Sequence, residues 1–283
     1  MEILKTKNRM QQWSKARKKK DKTICFVPTM GYLHQGHISL LEKGKSLCDE
    51  LVLSIFINPT QFGPNEDLAA YPVDIENDLR LAKAAGVTAV FLPQKEEIYP
   101  NNFQTKIFLE HLPRHLCGQS RPVHFGGVAT VVTKLFHIIM PDVAIFGKKD
   151  YQQLQIIRQM VCDLDFDVKI LGGEIVRESD GLAMSSRNAY LAADQRESAL
   201  SLSRAIHLAA AAIAQGEKKA SIIQNQMESF IKGYPHTRID YISFCDPHTL
   251  ESVDIINRQT LLALAVHVGG TRLIDNCLMD PSQ

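Results

Sequence analysis

The sequence has no apolar run long enough to cross a membrane, no surplus of either charge, and no two cysteines at C-x-x-C spacing. Each absence removes a class of protein. A spanning helix needs about 20 consecutive apolar residues, so no membrane partner is expected. With 32 Lys and Arg against 31 Asp and Glu, and a net charge of +1, there is no basic field to call for nucleic acid or an anionic surface. The six cysteines (Cys25, Cys48, Cys117, Cys162, Cys245 and Cys277) are scattered. They suggest neither a zinc site nor a disulfide framework, and read as reduced thiols of a cytoplasmic protein. The polar N-terminus runs into KARKKKDK, with no apolar signal-peptide core behind it. That basic run reads as a solvated helix face. Internal repeats and low-complexity tracts are absent too.

What is present is an alternation. TICFVPTM, LVLSIFIN, VTAVFLP, DVAIFG and FDVKILGGEIV read as strands. ISLLEKGKSLCD, VDIENDLRLAKAAG, GVATVVTKLFHIIM and YQQLQIIRQMVCDL lie among them and read as helices. Continuous apolar strands separated by helices predict an α/β fold, a Rossmann-like parallel sheet with helices on both faces. Beyond about residue 177 the texture changes. One long Ala-rich helix, DQRESALSLSRAIHLAAAAIAQG, precedes a second around SIIQNQMESFIKG, and two extended runs follow, RIDYISFCDP and TLLALAVHVGGTRLIDN. The expectation is a nucleotide- and substrate-binding domain over residues 1–176 and a smaller α+β domain over 177–283, acting as a lid.

Four stretches carry candidate chemistry. In PTMGYLHQGHISLL the first strand ends in a glycine turn that delivers His34 and His37 to the start of a helix. Ligands of open parallel sheets lie beyond the carboxyl ends of the strands. A helix N-terminus offers unpaired N–H groups to phosphate. Gly31 permits the tight turn, Gly36 removes a side chain where a base can lie, and two imidazoles three residues apart can donate to phosphate oxygens. Zinc is the lesser reading, because no H-E-x-x-H glutamate and no neighbouring cysteine are present. In INPTQF, Asn58 and Gln61 flank a proline, and amides suit a substrate with hydroxyl and carboxylate groups; a plain Asn-Pro turn is the alternative. In GKKDYQQL, Lys149 offers charge to phosphate, Asp150 can cap the helix or reach a ribose hydroxyl, and one of Gln152 and Gln153 can face the crevice. In DGLAMSSRN, Ser185, Ser186 and Arg187 can fold over a triphosphate, or the segment can be a linker with a capping serine.

Taken in order with RPVHFGGVATVVTKLF, these stretches resemble the pantothenate synthetase family, the pantoate–β-alanine ligases, within the wider group of H-x-G-H nucleotidyl-transferring enzymes. The resemblance implies ATP-dependent condensation of pantoate with β-alanine through a pantoyl adenylate, releasing AMP and pyrophosphate. It implies that Met30, Gly31, Tyr32, Leu33, His34, Gln35, Gly36 and His37 form the ATP-binding turn. His34 and His37 would contact the phosphates, with His37 as proton donor. Gly147, Lys148, Lys149 and Asp150 would line the nucleotide site, Lys149 reaching phosphate. Val176 would meet the adenine through its backbone, and Met184, Ser185, Ser186 and Arg187 would close over the phosphates. Gln61 would hold pantoate near the β-alanine site, with Gln153 as a second amide and Asn58 beside them. Mg²⁺ would accompany ATP, keeping most of its waters, with Asp78 as the candidate protein ligand. The family is dimeric, so a homodimer is expected. Three departures from its pattern stand out: Lys148 where an acid is usual, Val123 where glycine is common, and Asn77 in place of a frequent acid beside Asp78. The rival readings are a nucleotidyltransferase with no amine step, a tRNA-synthetase fragment, and a nucleotide-binding regulator without catalysis. The paired amides, the near-zero net charge and the presence of both histidines, Lys149 and Arg187 weigh against them in turn.

Overall fold

Ile24 and Phe26 join one apolar core while Cys25 and Val27 join another. Successive side chains of a strand point to opposite faces, so this alternation marks a sheet covered on both sides. Its strand, β2 (Ile24–Thr29), follows β1 (Glu2–Leu4) and α1 (Lys7–Lys18). Next come α2 (Gln35–Lys45), β3 (Glu50–Ile55), α3 (Ile75–Ala84), β4 (Ala89–Phe91) and the short α4 (Lys95–Ile98). After the one-turn α5 (Cys117–Ser120), the chain continues through α6 (His124–Ile139), β5 (Val143–Gly147), α7 (Tyr151–Asp163) and β6 (Lys169–Gly173). The six strands lie in the order β1-β4-β3-β2-β5-β6, and every pairing is parallel. The expected Rossmann-like sheet is therefore the observed one. β1 adds an edge strand that the sequence pattern did not reveal: three residues, two of them exposed, are too few to show a period.

This computed structural model describes residues 1–64 and 66–281. The chain divides into two units, one of residues 1–110 with 121–174, the other of 111–120 with the chain from 175 onward. In the first unit α2 sits unusually close to the sheet. A Cβ at Gly44 would lie 2.8 Å from both Cys25 Sγ and Leu51 Cδ1, so only glycine lets the helix carrying His37 pack at this depth.

The second unit is α+β, as expected. Strands β7 (Thr237–Cys245), β8 (Thr260–Val268) and β9 (Thr271–Met279) form an antiparallel sheet. Its apolar core is shared with α8 (Arg196–Ala199), α9 (Ser201–Ala214) and α10 (Ala220–Lys232). Two elements differ from the sequence pattern. The Ala-rich helix is two helices, broken at Leu200, where the Ser201 and Ser203 hydroxyls bond the carbonyls of Ser198 and Leu200. The second extended run is a hairpin, because Gly269-Gly270 turns the chain between Val268 and Thr271. Segment 111–120 belongs to this unit, and the Ser120 hydroxyl meets the Asp240 carboxylate on β7 at 3.0 Å.

Candidate functional site

β2 pairs with β3 on one side and with β5 on the other. The connection from β2 runs through α2 to β3, whereas that from β5 runs through α7 to β6, so the strand order reverses between β2 and β5. That switch point is where open parallel sheets bind ligands. The first three candidate stretches leave β2, β3 and β5 at this end.

The turn after β2 is held in an uncommon conformation. Gly31 (φ 90°) and Tyr32 (φ 53°) are both left-handed, and the second is unfavourable for a residue with a side chain. Asp78, on α3 and fully buried, compensates. Its Oδ2 accepts the Tyr32 N–H at 2.8 Å and its Oδ1 accepts the Leu33 N–H at 2.6 Å. His34 then caps α2, its Nδ1 accepting the Gly36 N–H at 3.1 Å, and His37 Nδ1 accepts the His34 N–H at 3.3 Å. The two rings lie against each other with centroids 4.0 Å apart and planes tilted by 32°. A nitrogen that accepts a hydrogen bond carries no proton, so each neutral imidazole has its proton on Nε2. Burial, then the nearby His34 and the Lys149 ammonium, hold the His37 imidazole well below its ordinary pKa. It is neutral at pH 7, a hydrogen-bond donor in a site that also contains a cation.

Two expectations need correction here. The helix N-terminus is a narrower backbone seat for phosphate than expected, because the N–H groups of Tyr32, Leu33, His34, Gly36 and His37 all bond within the turn or to Asp78. Side-chain donors therefore carry much of any anion recognition at this turn. Asp78 does not fit a metal ligand either. Its carboxylate is sealed from solvent with both oxygens engaged, and among the described residues no three His, Cys, Asp or Glu side chains gather to hold an ion.

The turn after β3 forms the second wall. Asn58 is buried and all four of its amide valences are filled. Nδ2 donates to Gln61 Oε1 (2.9 Å) and to the Gly127 carbonyl (3.1 Å), while Oδ1 accepts from the Thr60 and Tyr99 hydroxyls (2.9 Å each). Nothing remains for a ligand, so Asn58, expected to bind substrate, instead orients Gln61. Gln61 is different: its Nε2 has the Met30 thioether at 3.2 Å, a weak acceptor, and keeps a second N–H. The backbone of Gln61 is held by α6. His124 Nδ1 lies 3.0 Å from the Gln61 carbonyl, and a Cβ at Gly127 would meet Thr60 O at 2.4 Å. Burial, helped by the neighbouring Arg121, pushes the His124 imidazole down to about 4. Arg121 also forks onto both carboxylate oxygens of Glu66. Tyr99, Thr60, Arg121, His124 and Gly127 were not singled out from the sequence as site residues. Only the stretch RPVHFGGV pointed to three of them, since contact with the β3 turn is a tertiary event. Val123, where glycine is common in the family, has φ −89° and needs no glycine.

After β5, Lys148–Asp150 form a single 3-10 turn. Lys148 pairs with Glu174, so the extra positive charge at that departure is balanced locally. Asp150 occupies the N-cap of α7 but makes no capping bond, which removes one of its two expected roles. Gln153 is half-buried in the first turn of α7, and Gln152 is buried.

The fourth stretch lies in the second unit and is firmly braced there. The Val176 carbonyl accepts the Met184 N–H at 2.9 Å, closing a small hairpin. Arg177 grips the buried Asp275 of β9 through two hydrogen bonds, at 2.7 and 3.0 Å. Arg196 spans Glu178 and Asp180, and Asn188 donates to Glu178 Oε1 at 2.7 Å. Ser185 caps the following 3-10 turn through the Arg187 N–H, Ser186 is buried and Arg187 half-buried.

The architecture is thus a doubly wound α/β unit with side-chain hydrogen-bond donors and a cation at its switch point, joined to an α+β unit. Its sequence matches the family model described as pantoate-beta-alanine ligase over residues 2–278. A pantothenate synthetase of Desulforapulum autotrophicum is 58% identical over 283 residues, covering 100% of both chains. The crystal structure of a pantothenate synthetase from Thermus thermophilus superposes with a TM-score of 0.93 at 40% identity, covering 98% of this chain and 99% of that one. A pantoate-beta-alanine ligase of Francisella tularensis, complexed with beta-gamma ATP and beta-alanine, gives a TM-score of 0.80 at 33% identity, covering 100% of this chain and 98% of that one. The chain belongs to the pantoate–β-alanine ligase family, and its role is in pantothenate synthesis. The nucleotidyltransferase, tRNA-synthetase and regulator readings are set aside.

Proposed function

We propose that the switch point of the first unit activates pantoate as its adenylate and then joins it to β-alanine. The observation that carries the reading is the pair of facing imidazoles whose Nδ1 atoms are both committed to the turn, which leaves their Nε2 atoms to donate, with the Lys149 ammonium near His37. In the first half-reaction a pantoate carboxylate oxygen attacks the α-phosphorus of ATP, the bond to the β-phosphate oxygen breaks, and pyrophosphate leaves. Two anions must approach, and fixed donors and a cation offset that repulsion without reorganising. His34, His37 and Lys149 supply them; His37 acts through a hydrogen bond from its neutral ring. In the second half-reaction the neutral amine of β-alanine attacks the acyl carbon, AMP leaves with the former carboxylate oxygen, and the amine gives up a proton.

Gln61, with Nε2–H to spare, is proposed to hold pantoate, with Gln153 as its second amide and Asn58 as the support behind Gln61. The turn from Met30 to Leu33, with Gln35, Gly36, Gly147, Lys148 and Asp150, is proposed to contribute to ATP binding. Val176, Met184, Ser185, Ser186 and Arg187 are proposed to add ATP contacts from the second unit. We place the main domain boundary near residue 176, with segment 111–120 counted to the second domain, and assign that domain the part of a lid. The 176–188 segment is tied to its own unit by the Arg177–Asp275 and Arg196–Glu178 pairs. Mg²⁺ is proposed to arrive with ATP as part of the substrate, held by phosphate oxygens and water. The protein is proposed to work as a cytoplasmic homodimer; among the described residues no helix is long and apolar enough to cross a membrane.

Pantoate labelled with ¹⁸O in its carboxylate tests the sequence of steps. One label should appear in AMP, read by the isotope shift in phosphorus NMR, only when ATP, pantoate and β-alanine are all present. Label-free AMP, or ADP with phosphate, would rule the adenylate out.

A further inference from the structure

We propose that Asp78 is a positioning residue for the adenylation step, holding the β2–α2 turn so that His34 and His37 present their Nε2 protons, and that it is not a ligand of magnesium. The inference rests on the reading above. Its ground is geometric. The turn needs two successive left-handed residues, Gly31 and Tyr32, and leaves the N–H groups of Tyr32 and Leu33 pointing into the protein. A buried N–H without a partner costs about 1–3 kcal/mol. A carboxylate answers two such donors with two separate oxygens, and those of Asp78 do so at 2.8 and 2.6 Å. No isosteric residue can: an asparagine would set its NH₂ against one of the two donors.

The connection to the histidines runs through the backbone. Leu33 precedes His34, and the His34 N–H is the group that His37 Nδ1 accepts. His34 Nδ1 in turn accepts from Gly36. A displaced Leu33 therefore moves the donor that fixes the His37 tautomer. Gly31 closes the arrangement from the other side, since a Cβ there would stand 3.0 Å from Asp78 Oδ2 and 3.1 Å from Ile55 Cγ2. Carboxylate and glycine occupy one packed contact, in which a metal ion has no place.

The test uses Asp78→Asn and Gly31→Ala in the full chain, each read in two ways. Nitrogen-15 NMR of the imidazoles should show His37 as a single Nε2–H tautomer in the parent protein. Both variants should show a mixture. The rate of pyrophosphate release with ATP, Mg²⁺ and pantoate should fall roughly 100-fold in both, as a misplacement of about 1 Å produces. The Mg²⁺ concentration giving half the maximal rate should not move. A variant of Asp78 whose rate returns at high Mg²⁺ would overturn the proposal in favour of a metal ligand. Parent-like rates and tautomers, with only a lower Tm, would reduce Asp78 to a structural residue and overturn it as well. If Asp78→Asn does not fold, Gly31→Ala decides through the same two readouts. A parent protein that releases no pyrophosphate refutes the adenylation reading, and the tautomer measurement then still decides the role of Asp78 in the turn.

Discussion

Burial holds the imidazoles of His37 and His124 neutral, and it ties stability to pH. Both folded pKa values lie below the ordinary 6.5, that of His124 at about 4. Below pH 6.5 the unfolded chain binds protons that the native protein refuses, so stability is complete above that value and drains away as the pH falls. The share due to His124 is lost between pH 6.5 and about 4, and reaches about 2 kcal/mol at pH 5. Urea midpoints at pH 7 and pH 5 should show the loss, and His124→Asn, which can still donate to the Gln61 carbonyl, should make it smaller. Asn58 carries a different prediction. Replacing it with Ala removes partners of Gln61, Tyr99, Thr60 and Gly127 together. The variant should lose about 1–3 kcal/mol and raise KM for pantoate, while KM for ATP stays near the parent value. Equal rises in both constants would mean that Asn58 does not act through Gln61.

Two elements owe their places to single contacts. α6 packs its first turns against the 59–61 turn only because Gly127 has no side chain; a Cβ would come within 2.4–2.6 Å of Thr60 and Gln61 backbone atoms. Gly127→Ala should push the two apart, destabilise the fold by roughly 1–3 kcal/mol and weaken pantoate binding, measurable by calorimetry. In the second unit the 176–188 segment hangs on Arg177 and Asp275. The Asp275 carboxylate is almost fully buried, whereas the Arg177 side chain keeps 31% of its exposure. Arg177→Ala leaves that carboxylate buried and unpaired, a change that costs about 3–5 kcal/mol in such settings. Proteolysis should then cut near residues 178–181 first. A cleavage pattern unchanged from the parent would show that the other braces suffice.

For the whole molecule the proposed homodimer makes a direct prediction: sedimentation velocity at micromolar concentration should give twice the chain mass, and a single-chain mass would reject it. The general architecture needed no tertiary information. Hydrophobic periods depend on near neighbours, so the strands of the parallel sheet, the α+β change beyond residue 177 and the H-x-G-H turn could all be inferred along the chain. Where a local feature interrupts a period the inference failed, as at the serines around Leu200 and the Gly269-Gly270 hairpin turn. The site residues divide by the same reasoning. His34, His37 and Gln61 follow strand ends and could be named from sequence. What each atom does there was decided by folding: which imidazole nitrogen holds the proton, that Asn58 is satisfied, that Asp78 supports a turn 45 residues away, and that Arg177 is gripped by Asp275, 98 residues on. Hydrogen-bond partners so distant in sequence leave no periodic trace, because they are fixed only when the cores on the two faces of the sheet, and the separate core of the second unit, have formed.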